Sequence, residues 1–224
     1  MLKQKIWHSI DEIFTALNES NCNYIVMRNF ECFVSGQVFM NGHDDIDLLC
    51  NDLNKVRKVL NATKRLYFPT VNSYYIKLND LIVNVDIRFI GDGYYDEKWQ
   101  NDMLQQRTIF NNRIYIPDAK NYFYSLIYHA IIQKEYLSNE YLHKLCFMSS
   151  ELGINCTTED QLLEELLRYM KENDYKITIT RDPGIILNLK KIGNTEIESN
   201  YFWLIKRNIL NILKRFKRVS DKYV

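Results

Sequence analysis

His43-Asp44-Asp45-Ile46-Asp47-Leu48-Leu49-Cys50 is the stretch on which the fold turns. From Asp45 onward it is a short apolar run interrupted by acids, the pattern of a buried strand. Strand side chains alternate, so Asp45 and Asp47 project from one face while Ile46 and Leu48 point into a core. Asp44 leads into the strand from solvent. A second run, Val83-Asn84-Val85-Asp86-Ile87-Arg88-Phe89, has the same design. Asn84, Asp86 and Arg88 share one face, and Val83, Val85 and Ile87 share the other. An apolar strand gains no stability from acids. If the two strands pair, Asp45, Asp47 and Asp86 converge and repel one another unless a cation sits between them. Hard oxygen ligands so clustered suit Mg²⁺, with Mn²⁺ an acceptable substitute, completed by substrate phosphates. The chemistry expected of such a site is metal-dependent phosphoryl or nucleotidyl transfer. A lone Asp-x-Asp is commonplace at strand edges and turns; the third acid, mid-strand, separates this chain from that background.

Outward from these strands, apolar residues at helical spacing predict a helix over 3–19, broken at Asn21-Cys22-Asn23. Tyr24-Ile25-Val26-Met27 reads as a first strand, followed by a loop through Gly36 and Gly42. A helix is expected over 52–64, capped by Asn51 or Asp52. Tyr74 to Leu78, a two-residue Asn79-Asp80 turn, and Leu81 to Ile90 read as a β-hairpin. Beyond Gly91-Asp92-Gly93 helices are expected over 95–107, 119–134, 138–151 and 158–173, with a short extended piece at Arg113 to Pro117. Residues 176–189 fit neither pattern. The expected fold class is α+β: a small mixed sheet core at 1–92, a helical domain at 93–200, and a tail at 201–224.

A chain of 224 residues can bury one substantial core and a helical appendage. With 7 Gly and 3 Pro it holds neither a Walker loop nor a Rossmann glycine fingerprint. Its five cysteines form no CxxC pair and no zinc-spaced cluster, so the expected compartment is a reducing cytoplasm. The N-terminus lacks a long apolar region and no stretch has the length of a membrane span. The net charge of +1 hides an asymmetry. Residues 201–224 carry seven Lys/Arg against one acid, +6, leaving −5 (22 basic, 27 acidic) on the other 200 residues. A polynucleotide substrate is therefore not expected. In the tail, Phe202, Ile205, Ile209, Ile212, Leu213 and Phe216 follow a helical period among the basic residues, a pattern suited to peripheral contact with an anionic membrane, to a partner, or to the acidic body.

Helix, strand, loop, Asp45-Ile46-Asp47 on the next strand and Asp86 on a later one together resemble the DNA polymerase β-like nucleotidyltransferase superfamily, over roughly residues 1–90. The resemblance implies that Asp45 and Asp47 bind metal, that Asp86 is the third ligand and a general base, and that an NTP is the donor. That superfamily usually has Gly-Gly or Gly-Ser after the first strand, where this chain has Arg28-Asn29. Val26-Met27-Arg28-Asn29-Phe30-Glu31 and Tyr124-Ser125-Leu126-Ile127-Tyr128-His129, followed by Lys134, are similar to a bacterial nucleotidyltransferase-like branch linked with surface polysaccharide synthesis. In that branch Arg28, Asn29, His129 and Lys134 would contact phosphate or substrate, and the acceptor would be a small sugar, polyol or phosphorylated molecule.

The residues themselves leave other readings open. Arg28 at a strand end can grip a phosphate or form an ion pair. Arg88 can neutralise Asp86 or meet a substrate phosphate. His129 sits among apolar residues, where a hydrogen-bonded core histidine is the ordinary case. At the level of function, an Asp-x-Asp glycosyltransferase using a nucleotide-sugar is one alternative. A non-catalytic partner protein, of antitoxin or membrane-scaffold type, is another.

Overall fold

A computed structural model describes residues 5–34, 45–65, 73–180, 182, 185, 187–192, 197–198, 205 and 209. The loop through Gly36 and Gly42 lies outside them, as does nearly all of the tail; Ile205 and Ile209 are helical and exposed. The chain divides into two compact units, Met1–Asp92 with Gln100–Asp118, and Gly93–Trp99 with Ala119–Val224.

The first unit is built on a mixed sheet. Its elements are β1 (Ile6–Trp7), α1 (Ile10–Glu19), β2 (Tyr24–Val26), a 3₁₀ turn at Phe30–Val34, β3 (Asp45–Cys50), α2 (Leu53–Leu60), β4 (Thr63–Lys64), β5 (Ser73–Leu78) and β6 (Leu81–Phe89). Strand order is β1-β5-β6-β3-β2, with β4 also on β5. β5 and β6 form the expected hairpin, with Asn79 in the left-handed region at φ 51° where Asn is tolerated. β6 then lies parallel to β3, which pairs antiparallel with β2. Ile46, Leu48, Val83, Val85 and Ile87 are buried, as are Ile13, Phe14 and Leu17 of α1 and Val56 and Leu60 of α2. Phe14 stacks on Tyr24, ring centroids 6.0 Å apart.

Three boundaries differ from expectation, each for a local reason. The helix expected over 3–19 begins only at Ile10, because Ile6–Trp7 pairs with β5 as a strand. Ser9 is extended and its hydroxyl accepts from Glu12 N, while Glu12 Oε2 accepts from His8 N at 2.9 Å, a reciprocal closure that starts the helix there. The helix expected over 52–64 stops at Leu60, since Asn61 turns left-handed at φ 48° and directs its N–H back to Lys58 O. The helix expected over 119–134 is α4 only to Ile127; Tyr128–Ile132 continue as a π turn, with Gln133 N bonded to Tyr128 O.

After α3 (Glu97–Gln105), Arg113 to Pro117 contains β8 (Ile114–Ile116), paired with β7 (Thr108–Phe110), a strand that the sequence pattern concealed. This hairpin folds with the sheet unit through Tyr115 edge-on to Tyr24. The second unit contains α4 (Ala119–Ile127), α5 (Asn139–Glu151) and α6 (Glu159–Glu172), the last two started by Ser138 and Thr158 caps. In 176–189 a short strand, β9 (Ile177–Thr178), pairs parallel with β10 (Ile197–Glu198). Much of the tyrosine surplus is packed here. Tyr95, Tyr128, Tyr169 and Tyr175 surround Trp99, and Tyr124 stacks on Tyr169. No described helix is long and apolar enough to cross a membrane.

Burial leaves a signature at alkaline pH. It pushes the Cys50 thiol up to about 12 from 9.0 and the Tyr128 phenol up to about 12 from 10.0, and raises Cys22 as well. Above pH 9 the unfolded chain releases these protons while the folded chain still holds them. The contribution of these groups to stability is therefore fully present below about pH 9 and is lost as pH climbs toward the folded-state values. The melting temperature is expected to drop between pH 8.5 and 10.5, by less in a Cys50→Ser variant measured against its own pH 8.5 value.

Candidate functional site

β3 and β6 are adjacent, parallel and in a register that places Asp47 directly beside Asp86 and Asp45 beside Asn84. The period of two does the rest, because residues opposite one another across a ladder share a face. One ligand oxygen from each of Asp45, Asp47 and Asp86 falls within 4.8 Å of the other two. Asp47 is buried at 3% side-chain exposure, whereas Asp86 keeps 28%. Three oxygens at this spacing, from carboxylates held on a rigid sheet, form a donor set for a hard divalent cation.

Two arginines border the acids. Arg28 stands two residues beyond the end of β2, where Met27 N still bonds to Asp47 O at 2.9 Å. Asn29 then adopts φ 58°, bending the chain away into the 3₁₀ turn. Arg28 directs a planar fork onto Asp47: Nε donates to Oδ2 at 2.7 Å and Nη2 to Oδ1 at 2.8 Å. Both oxygens of the most buried acid are thus engaged by an arginine whose side chain is only 12% exposed. Arg88 lies on β6 beyond Asp86, its Nη2 3.9 Å from Asp86 Oδ2, and is almost wholly buried.

The structure therefore brings Asp45, Asp47, Asp86, Arg28 and Arg88 together, with Asn29 as the bend that follows Arg28. His129 and Lys134 belong to the second unit. His129 is buried, its Nδ1 3.2 Å from Tyr94 Oη and 3.3 Å from Gln133 Oε1, and Lys134 Nζ lies 4.4 Å above the Tyr141 ring. Sequence reasoning passed over Asn84 as a site residue. Its Oδ1 is buried and has no hydrogen-bond partner among the described residues, on the same face as Asp86 and opposite Asp45 in register. The alternation that singled out Asp86 was also the signal for Asn84.

No family model matches the chain, and no curated protein is significantly similar to it. Two solved structures overlay on it. One is the antibiotic-resistance factor ANT(2″)-Ia, at 13% identity and a TM-score of 0.40, covering 72% of this chain and 89% of that one. The other is an antigenic nucleotidyltransferase-like protein from Paracoccidioides brasiliensis, at 15% identity and a TM-score of 0.42, covering 74% of this chain and 90% of that one. Similarity at this level assigns no activity to the chain, whose functional reading rests on its own side chains.

Proposed function

We propose that the chain is a Mg²⁺-dependent transferase that moves a nucleotidyl or related phosphoryl group from an NTP to a small hydroxylated or phosphorylated acceptor. One observation carries this reading: Asp45, Asp47 and Asp86 converge to within 4.8 Å on paired central strands, where apolar side chains would be more stable. These three residues would hold the ion, and their oxygens suit it. Bound there, Mg²⁺ neutralises charge on the phosphoryl oxygens and favours ionisation of the attacking hydroxyl.

The chain's own groups divide the remaining work by exposure. Asp86, open to solvent where Asp47 is not, is the carboxylate placed to accept the acceptor's proton. Arg28 supplies the fork that matches a phosphate of the donor. Arg88, its Nη2 3.9 Å from Asp86 Oδ2, offsets part of the negative charge of the trio. The acceptor class follows from the resemblance of Val26 to Glu31 to the surface-polysaccharide branch. The basic tail at 201–224 would bring such an enzyme to the cytoplasmic face of a membrane, where lipid-linked glycans are assembled. Lys134 and His129 are not required in this reading.

The test is thermal stability of the wild type and of Asp45→Asn/Asp47→Asn, with Mg²⁺ and each of four NTPs varied separately. A ligand that binds only the native state raises its melting temperature. A rise that requires both Mg²⁺ and one NTP, and is lost in the double variant, supports transfer and names the donor. A rise with Mg²⁺ alone points to another phosphorylated donor, such as a nucleotide-sugar. No rise with any ligand overturns the reading in favour of a non-catalytic partner role.

A further inference from the structure

Asn84 lies in the middle of β6 with a buried side-chain oxygen that has no hydrogen-bond partner among the described residues. An unmet buried acceptor is destabilising, and asparagine is itself disfavoured within strands. Resting on the transferase reading above and narrowing its acceptor, we propose that Asn84, Ser73 and Tyr75 form the acceptor subsite beside the acidic trio. Its occupant is a neutral polyhydroxylated molecule of sugar size.

Strand register assembles this subsite. Residues opposite one another share a face, so Tyr75 of β5, Asn84 of β6 and Asp45 of β3 make one row across the sheet. Ser73, Asp86 and Asp47 make the next. Neighbouring strands lie about 4.8 Å apart, which puts Ser73 one strand from Asp86 and Tyr75 two strands from Asp45. On the opposite face of β5 and β6, Tyr74, Ile76, Val83, Val85 and Ile87 are buried, whereas Ser73, Tyr75 and Asn84 are half-buried. Their chemistry selects the occupant. A hydroxyl, an amide and a phenol offer donors and acceptors without charge. Tyr75 adds a ring face to cover the apolar side of a sugar. An anionic group gains no countercharge from these three and lies beside carboxylates, while a hydroxyl can donate to Asn84 Oδ1. The terminal torsion of asparagine is broad, so the amide can turn its oxygen toward that hydroxyl without backbone movement. A molecule held there lies next to Asp86, the carboxylate placed to accept its proton.

The experiment is saturation-transfer NMR with Mg²⁺ present, on wild type, Asn84→Val and Ser73→Ala. Glucose, ribose and glycerol are the neutral probes, and glucose 6-phosphate is the charged comparison. Wild type is expected to bind at least one neutral probe, and more tightly than glucose 6-phosphate. Each variant is expected to weaken that binding by about five- to tenfold, the effect of one hydrogen bond. Melting temperatures without ligand give a second reading. Asn84→Val removes the unmet oxygen and supplies a residue suited to a strand, so it is expected to melt about 2–4 °C above wild type. A less stable Asn84→Val marks a structural asparagine and overturns the subsite. Binding of no neutral probe overturns it as well, as does tighter binding of glucose 6-phosphate. Failure of the transferase reading looks different. There the Mg²⁺ and NTP shifts described above are absent from wild type while a neutral probe still binds through Asn84; shifts present without probe binding sink the subsite alone.

Discussion

Asp47→Asn is expected to reduce the proposed transfer by at least about 100-fold and, separately, to destabilise the protein in EDTA. Loss of partners that merely orient metal ligands typically costs 10- to 100-fold, so loss of the direct ligand proposed here sets the lower bound at about the top of that range. The stability effect has a different origin. Asp47 is 3% exposed and holds Arg28 by two short hydrogen bonds. The amide keeps one acceptor but removes the countercharge from a guanidinium with little access to water. Removing one partner of a buried pair costs about 3–5 kcal/mol, and the residual exposure of Arg28 places this case near the lower end, roughly 3 kcal/mol. Asp45→Asn provides the contrast. Asp45 is partly exposed, so its replacement should shift metal-free stability by no more than about 1 kcal/mol while still abolishing the Mg²⁺-dependent shift. Urea titrations in EDTA, run beside transfer assays, separate the two effects. Equal destabilisation by Asp45→Asn and Asp47→Asn would contradict the distinct role given to the Arg28–Asp47 pair.

Trp99→Ala is expected to have the largest effect on stability alone, about 3–5 kcal/mol, the usual range for truncating a buried aromatic ring. Trp99 is fully buried, stacks on Tyr175 at 5.3 Å between centroids, and lies 5.2 Å from Tyr95. Its indole N–H donates to Asn121 Oδ1 at 2.9 Å, an oxygen that also accepts from Tyr169 Oη. Truncation removes the ring around which the aromatic cluster is organised, and the void cannot close without moving several tyrosines. Against a total stability of about 5–15 kcal/mol this is a large fraction. Denaturant unfolding followed by circular dichroism gives the midpoint and slope. Trp99→Phe, which keeps a ring in the cavity and leaves Asn121 its Tyr169 donor, should lose distinctly less. A Trp99→Ala protein within 1 kcal/mol of wild type would show that the cluster is dispensable.

The acidic trio was legible because it depends on a local rule. Alternation along 45–48 and 83–89 places the acids on one face of each strand whatever surrounds them, and the hairpin at Asn79-Asp80 is equally local. Apolar spacing that runs back through Ile6 set the expected helix start too early; the Ser9 hydroxyl, accepting from Glu12 N, fixes it at Ile10. No local signal placed Ile6–Trp7 in a sheet; that pairing exists only because β5 offers an edge more than 60 residues later. The strand at Thr108–Phe110 was hidden for the same reason, being three residues stabilised by a partner rather than by pattern.

What the sequence by itself determined was composition of the site: which acids exist, on which strands, and on which faces. Only the tertiary structure decided that β3 and β6 are neighbours in a register setting Asp47 beside Asp86, since strand pairing is a long-range choice made by the whole core. It alone decided that Arg28 closes on Asp47, because that contact spans 19 residues and requires β2 to lie antiparallel against β3. A charge's partner is set by which surfaces folding brings together and how much water it leaves between them, and no spacing along the chain encodes that distance.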